Sequence, residues 1–352
     1  MALQPAGVFA ETYAADRRLF KTRPQRICLA LLLLALALAP VLLGPRLVAA
    51  VDVMLITAVA VIGLQITTGY AGQINLGQSA FMGVGAYAAA VLGGAGALPF
   101  WLAIPLGGIA AALFGVVFGL AAVRIKGFYL ALTSIAAQFV FAFAVLNLPA
   151  AWLGQSKGLS LAPARLFGVS FTDDASLYYL LLTAALIMVW GAFGIVRSRH
   201  GRAFVAVRDD EAAAGLTGVN VVATKIAAFM VGSFYAGVAG ALWAYYLRYV
   251  SVEQFTLIQS VWLVGMIIVG GMGSIVGALV GVVFVQTLNE AITSLGPSLV
   301  ALLPGVAGDA VFTAMNLVLG GVLAAFLLLE PKGLMHRWNL LKAGYRLWPY
   351  PH

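Results

Sequence analysis

The chain has 352 residues, of which 63% are hydrophobic and only 9% charged, and its mean hydropathy is +1.03. A soluble protein of this composition would expose far too much apolar surface, so a water-soluble globular class is excluded. Its one cysteine, Cys28, excludes an intramolecular disulfide framework and a cysteine-based metal site. The net charge of +8 raises nucleic acid as a partner, but the placement of the basic residues along the chain argues against it.

Apolar runs of the length that crosses a bilayer, about 20 residues, recur from end to end. They fall near 27–43, 49–68, 80–97, 101–122, 128–147, 176–196, 226–247, 257–270, 274–292 and 310–329. This predicts an all-α, polytopic transmembrane bundle of about ten segments. Forty glycines fit such a bundle, because small residues let helix backbones approach closely. Ala37-Leu38-Ala39 resembles a signal-peptide cleavage site. The 26 residues before the first apolar run are long for a leader, and cleavage would leave an odd number of spans, so an uncleaved first span is expected.

Lys and Arg in the connections predict the orientation. The tail over 1–26 carries Arg17, Arg18, Lys21, Arg23 and Arg26, and a turn carries Arg124 and Lys126. A central segment over 197–225 adds Arg197, Arg199, Arg202, Arg208 and Lys225, and a tail over 330–352 adds Lys332, Arg337, Lys342 and Arg346. With ten spans all four regions share one side, expected to be the cytoplasm, and both termini lie inside. Only Arg46, Lys157, Arg165 and Arg248 fall on the other side. The charge is therefore topogenic, and no nucleic-acid partner is expected.

Two polar segments interrupt the apolar pattern. The first reads GYAGQINLGQSAF from Gly69 to Phe81. Irregular backbone at membrane depth is tolerated where it is buried or lines a cavity. Gln73, Asn75, Gln78 and Ser79 are therefore candidates for a translocation path that contacts a neutral or zwitterionic solute. Helix–helix hydrogen bonding is the alternative. The second segment is the central one. Asp209-Asp210-Glu211 at a helix start, Ala213 and Ala214 within it and Gly218 at its end predict a helix of roughly two turns, too short to stand without a partner.

Other chemistries lack their residues. Asp52, Glu290 and Asp309 lie only at span ends, so the mid-membrane carboxylates of proton-driven carriers are missing. Gly77-Gln78-Ser79 looks like a membrane serine nucleophile, but His200, His336 and His352 are all outside the spans. No phosphate loop of the G-x-x-x-x-G-K-[ST] type occurs, so ATP binding by this chain is not expected. A sodium-coupled carrier working alone and a non-transporting scaffold remain as other classes.

These motifs carry a resemblance. GYAGQINLGQSAFMGVGAY resembles the signature of LivM-type permease subunits of branched-chain amino-acid ABC importers. VRIKGFYLALTSIA around Arg124, GRAFVAVRDDEAAAGLTGVNVVATKIAAF from Gly201, VGGMGSIVGALVGVVF from Val269, EPKGL at Glu330 and RLWPY at Arg346 resemble other parts of that family in the same order. The central segment departs from the general E-A-A-x-x-x-G loop, because Thr217 stands where Glu211-Ala212-Ala213 would place the glycine. The register Ala213, Ala214, Gly218 matches instead. The loop from Leu153 to Leu159 departs from a T-G-G-rich pattern.

The resemblance implies a non-catalytic permease subunit in a bacterial inner membrane. It would pair with a homologous second permease and with two cytoplasmic ATPase subunits that bind ATP and Mg, leaving no cofactor in this chain. A periplasmic solute-binding protein would deliver the solute. Asp209, Asp210, Glu211, Ala213, Ala214 and Gly218 would then form the ATPase coupling element. The implied solutes are branched-chain amino acids or related neutral compounds, with urea or short amides as the alternative.

Overall fold

A computed structural model describes residues 23–347, apart from 95–97, 126, 150–152, 167–168, 172, 303–316, 318–319, 323, 327 and 331. The described chain is a bundle of long helices. In chain order these are α1 (Arg23–Leu42), α2 (Pro45–Leu64), α3 (Gln78–Gly94), α4 (Phe100–Arg124), α5 (Phe128–Asn147) and α6 (Asp174–Arg197). Two shorter helices follow, α7 (Arg199–Asp209) and α8 (Glu211–Leu216). The chain continues through α9 (Val221–Leu247), α10 (Leu257–Gly270), α11 (Ile275–Leu302) and α12 (Leu334–Leu347).

Among the described residues, eight helices are long and apolar enough to cross a membrane, fewer than the ten segments the apolar runs suggest. The expected run 80–97 appears as α3, which has only 17 residues. Most of the run 310–329 lies outside the described residues, as do 1–22 of the N-terminal tail and the last residues of the C-terminal tail.

The shortness of α3 has a local cause. Helix α2 continues into a π-helix, Gln65–Tyr70, and the chain over 71–77 then turns back along it. Gln78 Nε2 donates to Ala60 O at 2.9 Å. Ala60 stands ten residues before Tyr70, about 15 Å at helical rise, so α3 begins part-way along the bundle. Helix α10 also starts inside it. Its first turn meets that of α3, with Ser79 N donating to Ser260 Oγ at 2.9 Å. The chain entering α10 is buried at Phe255, whose carbonyl accepts from Gln138 and whose ring stands edge-on to Phe141 at 6.1 Å.

Helices α3, α4 and α9 form the tightest part of the core. Gly107 on α4, Gly85 on α3 and Gly237 and Gly240 on α9 bring three backbones into contact. Helix α1 sits at the periphery and contains Pro40. Proline has no N–H, so the carbonyl four residues earlier loses its helical donor. Tyr178 Oη on α6 donates to that carbonyl, Leu36 O, at 2.7 Å, and Tyr179 Oη donates to Ala37 O at 2.9 Å.

Large apolar side chains face outward. Leu113, Phe139, Phe143, Ile187 and Trp190 are each about two-thirds exposed or more, as expected of a bundle surrounded by lipid. Among the described residues, short β pairing is added to the helices. Strands β1 (Leu159–Ser160) and β4 (Tyr249–Val250) pair antiparallel, with Leu159 opposite Val250. Strands β2 (Arg165–Leu166) and β3 (Val169–Ser170) form a hairpin.

Candidate functional site

The polar stretch before α3 is folded inward. Gln73, Asn75, Gln78 and Ser79 are all buried. Asn75 Nδ2 donates to Gln78 Oε1 at 3.0 Å, and Asn75 Oδ1 accepts from Gly77 N at 2.9 Å. With the bond from Gln78 to Ala60, these two amides hold the backbone reversal in place. Gln73 differs: both its side-chain oxygen and its nitrogen are buried without a partner. Ser79 reaches furthest, with Oγ 3.5 Å from Gln259 Oε1.

Gln259 lines a cavity of about 360 Å³ between α2, α10 and α11. Thr57, Thr256, Gln259, Gln286 and Asn289 supply its polar wall, and Trp262, Leu263 and Met266 are among its apolar lining. Gln286 Nε2 donates to Thr57 Oγ1 at 3.4 Å. None of the described lining residues is charged. Thr57 lies one turn before Ala60, so the cavity stands at the depth where α3 and α10 begin. Thr256 caps α10 by accepting from Gln259 N at 3.3 Å. Sequence reasoning did not single out these cavity residues. Thr57 stands alone in an apolar run, and the pairs Gln259-Ser260, Gln286-Thr287 and Asn289-Glu290 break two others, which was the available signal.

The central polar segment forms two helices where one was expected. Helix α7 begins at Ser198, whose side chain accepts from His200 N at 3.1 Å. It buries Gly201, Phe204 and Val207 on one face. The spacing of Phe204 and Val207 behind a serine cap was the available signal for it. Asp209 closes α7, and its carboxylate pairs with Arg208 at 2.8 Å. The expected helix start at Asp209 is therefore corrected to Asp210. Asp210 is the cap of α8 and accepts from Ala212 N at 2.8 Å and Ala213 N at 3.1 Å.

Helix α8 ends on a paired-carbonyl cap. Gly218 has φ +87°. Gly218 N donates to Gly215 O at 3.1 Å, and Val219 N donates to Ala214 O at 3.0 Å. The bond from Val219 needs the left-handed conformation of Gly218, which turns the following amide back onto the helix. Glu211 is tied down as well, with its carboxylate 2.6 Å from Lys225 Nζ. Lys225 is buried and also donates to Ala122 O at 3.4 Å. It therefore anchors α8 to α9 and to the end of α4, in addition to carrying charge.

The alanine pair divides. Ala213 is exposed, whereas Ala214 is buried within the chain. The outward surface of α8 is Ala212, Ala213, Gly215 and Leu216, and Leu216 is 91% exposed.

Two substitutions test this geometry. Asp210→Ala removes both cap bonds and should cost about 1 kcal/mol. Gly218→Val should cost at least as much, because a β-branched residue resists positive φ. Hydrogen exchange over 211–219 should speed up in both variants, with exchange in α9 unchanged. Protection that stays at the wild-type level would remove the caps from the account of α8.

Comparison with known proteins bears on what this arrangement is for. Residues 47–328 match the family described as the branched-chain amino acid transport system / permease component. The chain belongs to that family. It is 27% identical over 312 residues to the high-affinity branched-chain amino acid transport system permease proteins LivM of Salmonella typhimurium and Escherichia coli. Those alignments cover 81% of this chain and 69% of each relative. A shorter likeness, 30% over 116 residues, joins the permease to the Escherichia coli xylose transport system permease protein XylH. It covers 32% of this chain and 29% of that one. No solved structure matches the chain. The permease is thus a multi-pass membrane protein of LivM type.

Proposed function

We propose that the permease forms half of the path of an ATP-driven importer for branched-chain amino acids or related neutral solutes. A homologous second permease would complete the path. Two ATPase subunits would dock on the segment 197–225, and a periplasmic binding protein would deliver the solute. In this reading the chain lies in a bacterial inner membrane, with the tails 1–26 and 330–352 and the coupling segment on the cytoplasmic side of a membrane domain spanning 27–329. ATP and Mg belong to the partners, and this chain performs no catalysis.

The observation that carries the reading is the cavity at the start of α10. Its amides and hydroxyls can pair with a zwitterion's ammonium and carboxylate without a fixed countercharge. The positive end of the α10 dipole adds to the pull on the carboxylate. Trp262, Leu263 and Met266 offer apolar surface to a branched side chain. Two helices broken at the same depth supply the irregular backbone that such sites use.

Uptake by the reconstituted complex is the test, with and without ATP, across a branched-chain amino acid, urea and a pentose. Gln259→Leu and Gln286→Leu should each lower amino-acid uptake about tenfold, equivalent to about 1.4 kcal/mol, while ATPase retention stays normal. ATP-dependent uptake of urea or the pentose in place of the amino acid would reassign the solute. Uptake without any ATPase would replace the importer with a carrier that works alone.

A further inference from the structure

Arg208 ties the central polar segment to a junction of the helices that line the polar cavity. It sits in the last turn of α7, and its Nη1 donates to Gly69 O at 3.0 Å. Its Nε and Nη2 both donate to Asp209 Oδ1, at 3.0 and 2.8 Å. The stem of the side chain lies on Gly72, where an added Cβ would stand 2.7 Å from Arg208 Cγ. A Cβ on Gly273 would stand 3.1 Å from Nη1. One side chain thus contacts the π-helical end of α2, the turn after it and the turn between α10 and α11.

Those elements are already joined to one another. Gln65 Nε2 donates to Gly271 O at 3.2 Å and to Ser274 O at 3.0 Å. A Cβ on Gly69 would come within 2.9 Å of Gly273 N. The junction therefore gathers the ends of α2 and α10 and the start of α11, the three helices whose side chains line the cavity. A π-turn within an α-helix recurs at functional positions, because its looser hydrogen bonding permits local rearrangement.

We propose that Arg208 is the positioning residue that transmits movement of the coupling segment to the cavity helices. This rests on the reading that ATPases drive that segment. The guanidinium suits the task. Its planar fork holds the Asp209 carboxylate while a separate N–H holds the Gly69 carbonyl, so α7 and the junction move as one body. A lysine keeps the charge but cannot hold both acceptors in fixed geometry. The three glycines at Gly69, Gly72 and Gly273 leave the space that the side chain and its neighbouring turns occupy.

The test uses the complete transporter in liposomes, with its own ATPases and binding protein, and compares wild type with Arg208→Met and Arg208→Lys. Three quantities are read: ATPase retention on purification, ATP hydrolysis, and solute imported per ATP. Both variants are expected to retain their ATPases and to hydrolyse ATP. Solute per ATP should fall at least about fivefold in Arg208→Met, the lower end of ordinary coupling between sites, and less in Arg208→Lys. Stimulation of hydrolysis by the loaded binding protein should be lost in parallel. Wild-type solute per ATP in Arg208→Met overturns the proposal. So does loss of the ATPases from the complex, which makes Arg208 a docking contact, and so does failure of both variants to assemble, which makes it a folding residue. A wild-type complex with no ATP-dependent uptake rejects the importer reading itself, whatever the variants do.

Discussion

Gly240→Val is expected to yield no folded protein. A Cβ at Gly240 on α9 would lie 1.8 Å from Met82 O on α3. The surroundings offer no relief. A Cβ on Gly85 would lie 2.2 Å from Gly237 O, and one on Gly237 would lie 2.4 Å from Ala111 Cβ on α4. The obstructing atom at Gly240 is backbone, so no rotamer change can admit the side chain. Separating the helices forfeits their packing contacts, and packing is what holds helices together in lipid, where the hydrophobic effect does not drive them against one another. The cost should exceed about 3 kcal/mol, the upper end for overpacking that side-chain movement can relieve. Size-exclusion profiles and thermal melts of the detergent-solubilised protein measure it. Gly265→Ala on α10 is the control, since nothing lies within 4 Å of its Cβ position. A monodisperse Gly240→Val protein with the wild-type melting point would contradict the packing described for α3 and α9.

Ala213→Glu should release the ATPases from an otherwise intact permease, whereas Ala214→Glu should damage the permease itself. The two positions are adjacent, and the resemblance assigns both to coupling. The structure separates them by burial. A glutamate at exposed Ala213 projects from α8 beside Gly215 and Leu216. On a surface that docks closely, it places an unpaired charge in the interface, which costs several kcal/mol. A glutamate at Ala214, which is 4% exposed, meets the permease's own interior and should unseat α8 before any partner arrives. Co-purification of the ATPases and hydrogen exchange over 211–219 distinguish the outcomes. Ala213→Glu should lose the partners with exchange unchanged, and Ala214→Glu should lose both. Leu216→Ala should weaken retention, because it removes the largest exposed apolar group on the helix. An Ala213→Glu complex that keeps its ATPases and its solute-stimulated hydrolysis would take α8 out of the coupling mechanism.

How much was legible depended on the range of the interaction. Spans such as 101–122, 128–147 and 176–196 match α4, α5 and α6 within a few residues, because a bilayer imposes a minimum apolar length that any window can detect. The caps of α8 were also close to legible, since an acidic start and a glycine end act over three or four residues. The start slipped from Asp210 to Asp209 because two carboxylates stood side by side, and only the backbone of α7 and the bonds from Ala212 N and Ala213 N to Asp210 separated them. Helix α7 escaped because a basic, polar stretch reads as a loop when only three of its residues are buried.

The chain by itself determined that it is a multi-pass helical membrane protein, that its glycine-rich polar stretch interrupts the spans, and that its basic segments gather into a few connections. Composition and local pattern act through the bilayer and the backbone, which need no distant partner. Only the tertiary structure decided which polar groups hold the fold and which line a cavity. Asn75 pairs with Gln78, Gln78 also bonds Ala60 O, and the Gln73 side chain has no partner. Thr57, Gln259 and Gln286 converge from helices far apart in the sequence. Only the fold, likewise, placed Arg208 on Gly69 and Gly273, and Lys225 on Glu211 and Ala122. A side chain's hydrogen-bond partners are fixed by which helices pack together, and that choice rests on close contacts between residues that no local window contains.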